Sequence, residues 1–174
     1  DAPTATSWQV CSPDTVRGIT AAGFYFAREI QQKTGVPIGL VDDNWGGTPI
    51  EPWVATEGLE LVAELKPAFT ARQEAIKAFR AELPKALTQL EGWIAQTRRS
   101  LADGTETGPM PAMPTHPGGN GWSGMHNAMI HPFVNLPIKG ALWYQGESNG
   151  GEGETYYDKM RALIGGWRKL WGQG

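Results

Sequence analysis

Two short apolar runs, each followed at once by a glycine-bearing polar loop, most narrowly limit what this chain can fold into. Pro37-Ile-Gly-Leu-Val41 leads into Asp42-Asp-Asn-Trp-Gly-Gly-Thr-Pro49. Ile138-Lys-Gly-Ala-Leu-Trp-Tyr144 leads into Gln145-Gly-Glu-Ser-Asn-Gly-Gly151. Apolar runs of this length, bounded by turn residues, read as buried parallel strands. Open α/β sheets hold their ligands in loops at the carboxyl ends of strands. The two loops are therefore where chemistry is expected.

Helical patterns surround the runs. From Thr20 to Lys33, Phe24, Ala27, Ile30 and Gln31 share a face, and Gly35 follows as a helix-ending glycine. Over 57–102, Leu59, Val62, Leu65, Phe69, Ile76, Phe79, Leu83, Leu87, Leu90, Ile94 and Leu101 recur at steps of three, four or seven. That predicts a helical insertion in two or three segments, with Pro67 and Pro84 at starts or kinks. Its seven basic and six acidic residues read as a solvated face, with a partner-docking coiled coil as the alternative. Residues 103–124 form a Gly/Pro-rich loop, either a lid or a linker. A short helix is expected before Pro132. A last helix over Glu154 to Trp171 puts Tyr156, Met160, Leu163, Ile164, Trp167 and Leu170 on one face.

Composition removes several function classes. The 174 residues amount to about one domain. A net charge of −3 leaves no basic footprint for nucleic acid. Eight tryptophans argue against disorder. The single Cys11 excludes an internal disulfide framework and a multi-thiolate zinc site. His116, His126 and His131 lack ligand spacing, so no metal and no cofactor is expected. No apolar run approaches the ~18 residues of a membrane span. The first residues hold neither a charged leader nor an apolar stretch, which fits a cytosolic chain or one whose leader has been removed.

In Asn44-Trp-Gly-Gly-Thr48 the paired glycines permit a tight turn and close approach by a ligand, and backbone N–H groups there can face an oxyanion. A plain turn before a helix is the competing reading. Gly146-Glu-Ser148-Asn-Gly150 fits the G-x-S-x-G nucleophile elbow. Chain order opposes that assignment, because the elbow's histidine follows its serine and all three histidines here precede Ser148. Trp45, Trp53, Trp122 and Trp143 lie near the loops and suit either a sugar-stacking or a core role.

Four segments, in order, carry a resemblance. They are Gly35-Val-Pro-Ile-Gly-Leu40, Asn44-Trp-Gly-Gly-Thr-Pro-Ile-Glu-Pro-Trp53, Asn127-Ala-Met-Ile-His-Pro132 and Lys139-Gly-Ala-Leu-Trp-Tyr-Gln-Gly-Glu-Ser-Asn149. Together they resemble the sialate O-acetylesterases, a carbohydrate-esterase branch of the SGNH hydrolase superfamily. The resemblance implies a flavodoxin-like three-layer α/β/α sandwich with a mostly parallel sheet, incomplete here. It implies a secreted or periplasmic enzyme that removes acetyl groups from an O-acetylated sugar or glycan. A serine would attack the acetyl carbonyl, a histidine would act as base, and backbone N–H groups with a side-chain amide would hold the oxyanion. Carried onto this chain, Gly46 or Gly47 offers the backbone N–H and Gln145 the amide. Trp45, Thr48, Glu147, Asn149 and Asn127 are the candidate substrate contacts, with loop bracing open to Glu147 and Asn149.

The family's nucleophile lies in an early Gly-Gln-Ser-Asn segment and its base in a late Asp-x-x-His segment; neither occurs here. The resemblance thus covers the middle of a catalytic domain. Little esterase activity is expected of these residues alone, and the remainder of such a domain is an expected partner. A non-catalytic carbohydrate-binding fragment and a helical docking module are the alternatives.

Overall fold

The computed structural model describes residues 7–117 and 121–172; residues 118–120 of the Gly/Pro-rich loop lie outside them. The chain falls into two units. One holds residues up to Gly46 with Gly140–Trp143, the other Gly47–Lys139 with Tyr144–Gly174.

Neither apolar run becomes a strand. Among the described residues the regular structure is helical and no β-ladder forms, so the expected α/β/α sandwich is not the architecture. In the first run Ile38 and Val41 stay 38% and 42% exposed; in the second Leu142 and Tyr144 stay 51% and 85% exposed. An extended segment becomes a strand only when its N–H and C=O groups meet a neighbour's at ladder spacing. An apolar run signals a preference for burial without specifying what provides the cover.

In the first unit, α1 spans Ala21–Thr34 and ends at Gly35, which sits at φ 68° and donates its N–H to Gln31 O at 2.8 Å. That left-handed conformation is open to glycine at little cost. The Asp42 carboxylate accepts the Thr20 N–H at 2.9 Å, placing negative charge at the amino end of α1. Within this unit, Gly23 and Ala27 are the buried residues among those described.

The second unit holds the larger core. A turn at Glu51–Trp53 leads into α2 (Thr56–Leu61), then through Ala63–Leu65 into α3 (Lys66–Asp103). The last helix, α4, spans Glu154–Trp171. Ile50, Val54, Ala55, Leu59 and Ala162 are fully buried where α2 crosses α4. Gly58 permits that crossing: a Cβ there would lie 2.0 Å from Ala162 O. Trp167 clamps the turn, its Nε1–H donating to Trp53 O at 3.1 Å.

The 57–102 pattern becomes mostly one long helix. Pro67 stands in the first turn of α3, where its missing N–H has no intrahelical partner to lose, and the helix continues through Pro84. After α3 the chain turns back along it. Trp93 Nε1–H donates to Gly108 O at 2.8 Å, His116 meets Phe79 edge-on at 4.9 Å, and Arg72 Nε–H donates to Trp122 O at 3.0 Å. These contacts lay the described part of 103–124 antiparallel to α3. A π-helical turn at His126–Ile130 stands where the short helix before Pro132 is expected. Among the described residues no helix is long and apolar enough to cross a membrane.

Candidate functional site

The second unit brings Gly47 and Thr48 of the first loop against residues 145–152 of the second. The turn at Gly47 has φ 78°, a conformation that favours glycine. Its carbonyl accepts the Ser148 hydroxyl at 3.3 Å. The Thr48 carbonyl accepts one N–H of the Gln145 amide at 3.2 Å. Thr48 Oγ1 accepts Trp53 Nε1–H at 2.9 Å, which fixes the loop from behind.

Asn149 is the centre of the arrangement. It is 4% exposed and every polar atom of its side chain is engaged. Oδ1 accepts the Ile50 N–H at 2.9 Å and Gln145 Nε2–H at 2.8 Å. Nδ2 donates to Glu51 at 3.1 Å and to Glu152 at 3.0 Å. Two donors face Oδ1 and two carboxylates face Nδ2, so the amide has one favourable orientation. Lys159 of α4, 9% exposed, lies between the same carboxylates and bonds to both. Burial pulls the Lys159 pKa down, but the hydrogen bonds to Glu152 and Glu51 outweigh it and raise the pKa. The hydrogen bond from Lys159 holds Glu152 below the usual carboxylate range. A single charged ammonium thus lets two carboxylates sit together.

Tyr156, also on α4, reaches the other end of Gln145. Its hydroxyl lies 2.8 Å from Gln145 O and 3.0 Å from Gln145 Oε1. Gln145 is therefore held at both ends: its backbone and side-chain oxygens share the one phenolic proton, and its two side-chain N–H groups go to Asn149 and Thr48. The Thr48 bond is the longer of the two. An oxyanion arriving at this amide would have to compete with that bond.

The remaining predicted residues divide clearly. Trp45 and Gly46 belong to the first unit, where Trp45 is 62% exposed. The N–H groups of Gly46 and Gly47 donate to no group among the described residues. A Cβ at either glycine would meet no atom within 4 Å, so each opens onto free space. Glu147 is exposed and caps its own loop, accepting the Gly146 N–H at 3.1 Å. Asn127 stays outside the Gln145–Asn149 cluster and contacts His126 Nδ1 at 3.2 Å. Ser148 donates to Gly47 O and to no histidine among the described residues. Among the described residues the non-glycine residue with positive φ is Ser123 (65°), which is fully buried and shares a hydrogen bond with Thr56 Oγ1. His126 is buried, its Nε2 has no hydrogen-bond partner among the described residues, and burial lowers its pKa.

Glu51, Glu152, Tyr156 and Lys159 complete the site, and sequence reasoning did not assign them to it. A signal was present for two of them. Tyr156 and Lys159 stand three apart on the face of α4 that also carries Leu163 and Trp167, and a lysine on an apolar face calls for an acidic partner.

Comparison with known proteins finds relatives along most of the chain. Sialate O-acetylesterase of Rattus norvegicus is 31% identical over 165 residues, covering 90% of this chain and 26% of that protein. The Mus musculus protein of the same name is 32% identical over 159 residues, with 90% and 26% covered. The Homo sapiens protein is 29% identical over 157 residues, with 90% and 22% covered. The chain spans about a quarter of the curated relatives it matches. No family model and no solved structure matches. Over nine-tenths of its length the chain is thus similar to part of the sialate O-acetylesterases of rat and mouse.

Proposed function

We propose that this chain provides the oxyanion-holding and loop-bracing part of a carbohydrate O-acetylesterase acting on acetyl esters of sialic acid or a related sugar. One observation carries the reading. Two motifs about a hundred residues apart are bonded directly, Gln145 to Thr48 O and Asn149 to the Ile50 N–H. In this account a serine attacks the acetyl carbonyl while a histidine takes its proton. The carbonyl oxygen becomes an oxyanion and approaches the N–H of Gly47, which donates to no group among the described residues. Gln145 exchanges its 3.2 Å bond to Thr48 O for a charge-assisted one to the oxyanion. Collapse expels the sugar hydroxyl, and water then hydrolyses the acyl-enzyme.

The serine and histidine of these steps come from outside the motifs found here. Ser148 is not assigned as the nucleophile, since its hydroxyl serves Gly47 O. The test is hydrolysis of a chromogenic acetyl ester by the full-length natural protein. Turnover abolished by a serine-directed phosphonate is the expected result. Binding of an acetylated sugar without turnover would overturn the esterase reading and favour a binding module.

A further inference from the structure

The two-ended grip on Gln145 assigns a role to a residue outside both loops. We infer that Tyr156 is a positioning residue that fixes which way the Gln145 amide points. The inference rests on the reading of Gln145 as an oxyanion donor.

A primary amide has two ends of similar size and opposite hydrogen-bonding character. For Gln145 to donate, its nitrogen must face the Gly47–Thr48 loop and its oxygen must face away. Asn149 Oδ1 and Thr48 O attract the nitrogen from one side. The Tyr156 hydroxyl has one proton to donate, shared between the Gln145 backbone oxygen at 2.8 Å and Oε1 at 3.0 Å. In the flipped amide Oε1 would meet the two acceptors Asn149 Oδ1 and Thr48 O, and the phenolic proton would lose one of its two acceptors. Tyr156 sits in the first turn of α4, and Lys159, one turn on, is tied to both carboxylates that grip Asn149. The helix therefore anchors both polar contacts of the amide at once. Tyr156 touches neither proposed reacting atom and acts only through Gln145.

The direct test is side-chain NMR on the 18.9 kDa chain. The Gln145 –NH₂ resonances are identified by their loss in Gln145→Ala. Their hydrogen exchange is then compared between the unmodified chain and Tyr156→Phe, which keeps the ring and removes the hydroxyl. Exchange about fivefold faster in Tyr156→Phe is expected, the effect of one lost hydrogen bond. Unchanged exchange would overturn the inference. A kinetic cycle in the full-length natural protein separates positioning from general bracing. Tyr156→Phe should lower kcat about fivefold with little change in KM, and should have no further effect in the Gln145→Ala background. A full effect in that background would mean that Tyr156 works through the Gln145 backbone carbonyl, which also overturns the inference. Loss of kcat in Tyr156→Phe but not in Gln145→Ala would overturn the oxyanion reading itself. The exchange measurement would still decide the orientation.

Discussion

At Asn149 one small amide meets four groups, and the consequences can be tested by single substitutions. Asn149→Asp keeps the shape but replaces a donor with a third carboxylate beside Glu51 and Glu152. Stability at pH 7 should fall by about 3 kcal/mol and partly recover as the pH drops and the added carboxylate protonates. Chemical denaturation at two pH values measures this; an unaltered midpoint would remove Asn149 from the centre of the network. The histidines make a second residue-scale prediction. Burial lowers the His126 pKa from 6.5, the Asn127 hydrogen bond and Glu57 oppose that, and His131 and Arg72 add to it. The unfolded chain then takes up the proton first as pH falls. The contribution of His126 is fully present above about 6.5 and is lost below it. Denaturation midpoints between pH 5 and 7 should slope less in His126→Gln than in the unmodified chain. Equal slopes would contradict the assignment. At this scale the sequence showed which loops are polar and glycine-bearing, hence Gly47, Thr48, Gln145 and Asn149. It left Asn149 open to bracing or substrate contact and did not name its partners or show Thr48 as a brace, because hydrogen-bond partners a hundred residues away are not encoded in local spacing.

Helices were legible in detail because their signals are local. The glycine ending α1 and the limits of α4 follow from capping chemistry and the 3.6-residue period. The two expected strands failed for the opposite reason, since a strand is defined by a partner and an apolar run does not name one. Packing between elements was also hidden. Nothing in Thr56-Glu-Gly-Leu59 marks Gly58 as the point where α2 lies on α4. A Cβ at Gly58 would press on the Ala162 carbonyl, and one at Gly166 would lie 2.9 Å from Gly58 Cα. Neither obstruction is a movable side-chain tip, so the helices must separate. Gly58→Ala should destabilise the second unit by about 3 kcal/mol, at the upper end for overpacking. Gly92→Ala, on α3 with open space around it, should be neutral or slightly stabilising. Equal midpoints for the two variants would argue against the close crossing.

Across the whole molecule, burial is uneven. The second unit encloses Ile50, Val54, Leu59, Ala162 and Leu163, whereas the first buries little beyond Gly23 and Ala27 among the described residues. Local opening follows buried contacts, so amides of α1 should exchange with solvent well before those of α2 and α4. Hydrogen-exchange mass spectrometry reads this by peptide, and uniform protection would contradict the division. Exposed Val36, Ile38, Val41, Leu142 and Tyr144 also predict concentration-dependent association in sedimentation, with a monomer at all concentrations as the contrary result. The central claim remains that the joined loops hold an oxyanion, and Gln145 carries most of it. The decisive measurement is kcat and KM for acetyl-ester hydrolysis by the full-length natural protein with and without Gln145→Ala. Loss of one preorganised donor should lower kcat by about 10²–10³-fold while KM changes little. An unchanged kcat would mean that Gln145 only braces the loop and that the oxyanion is held elsewhere.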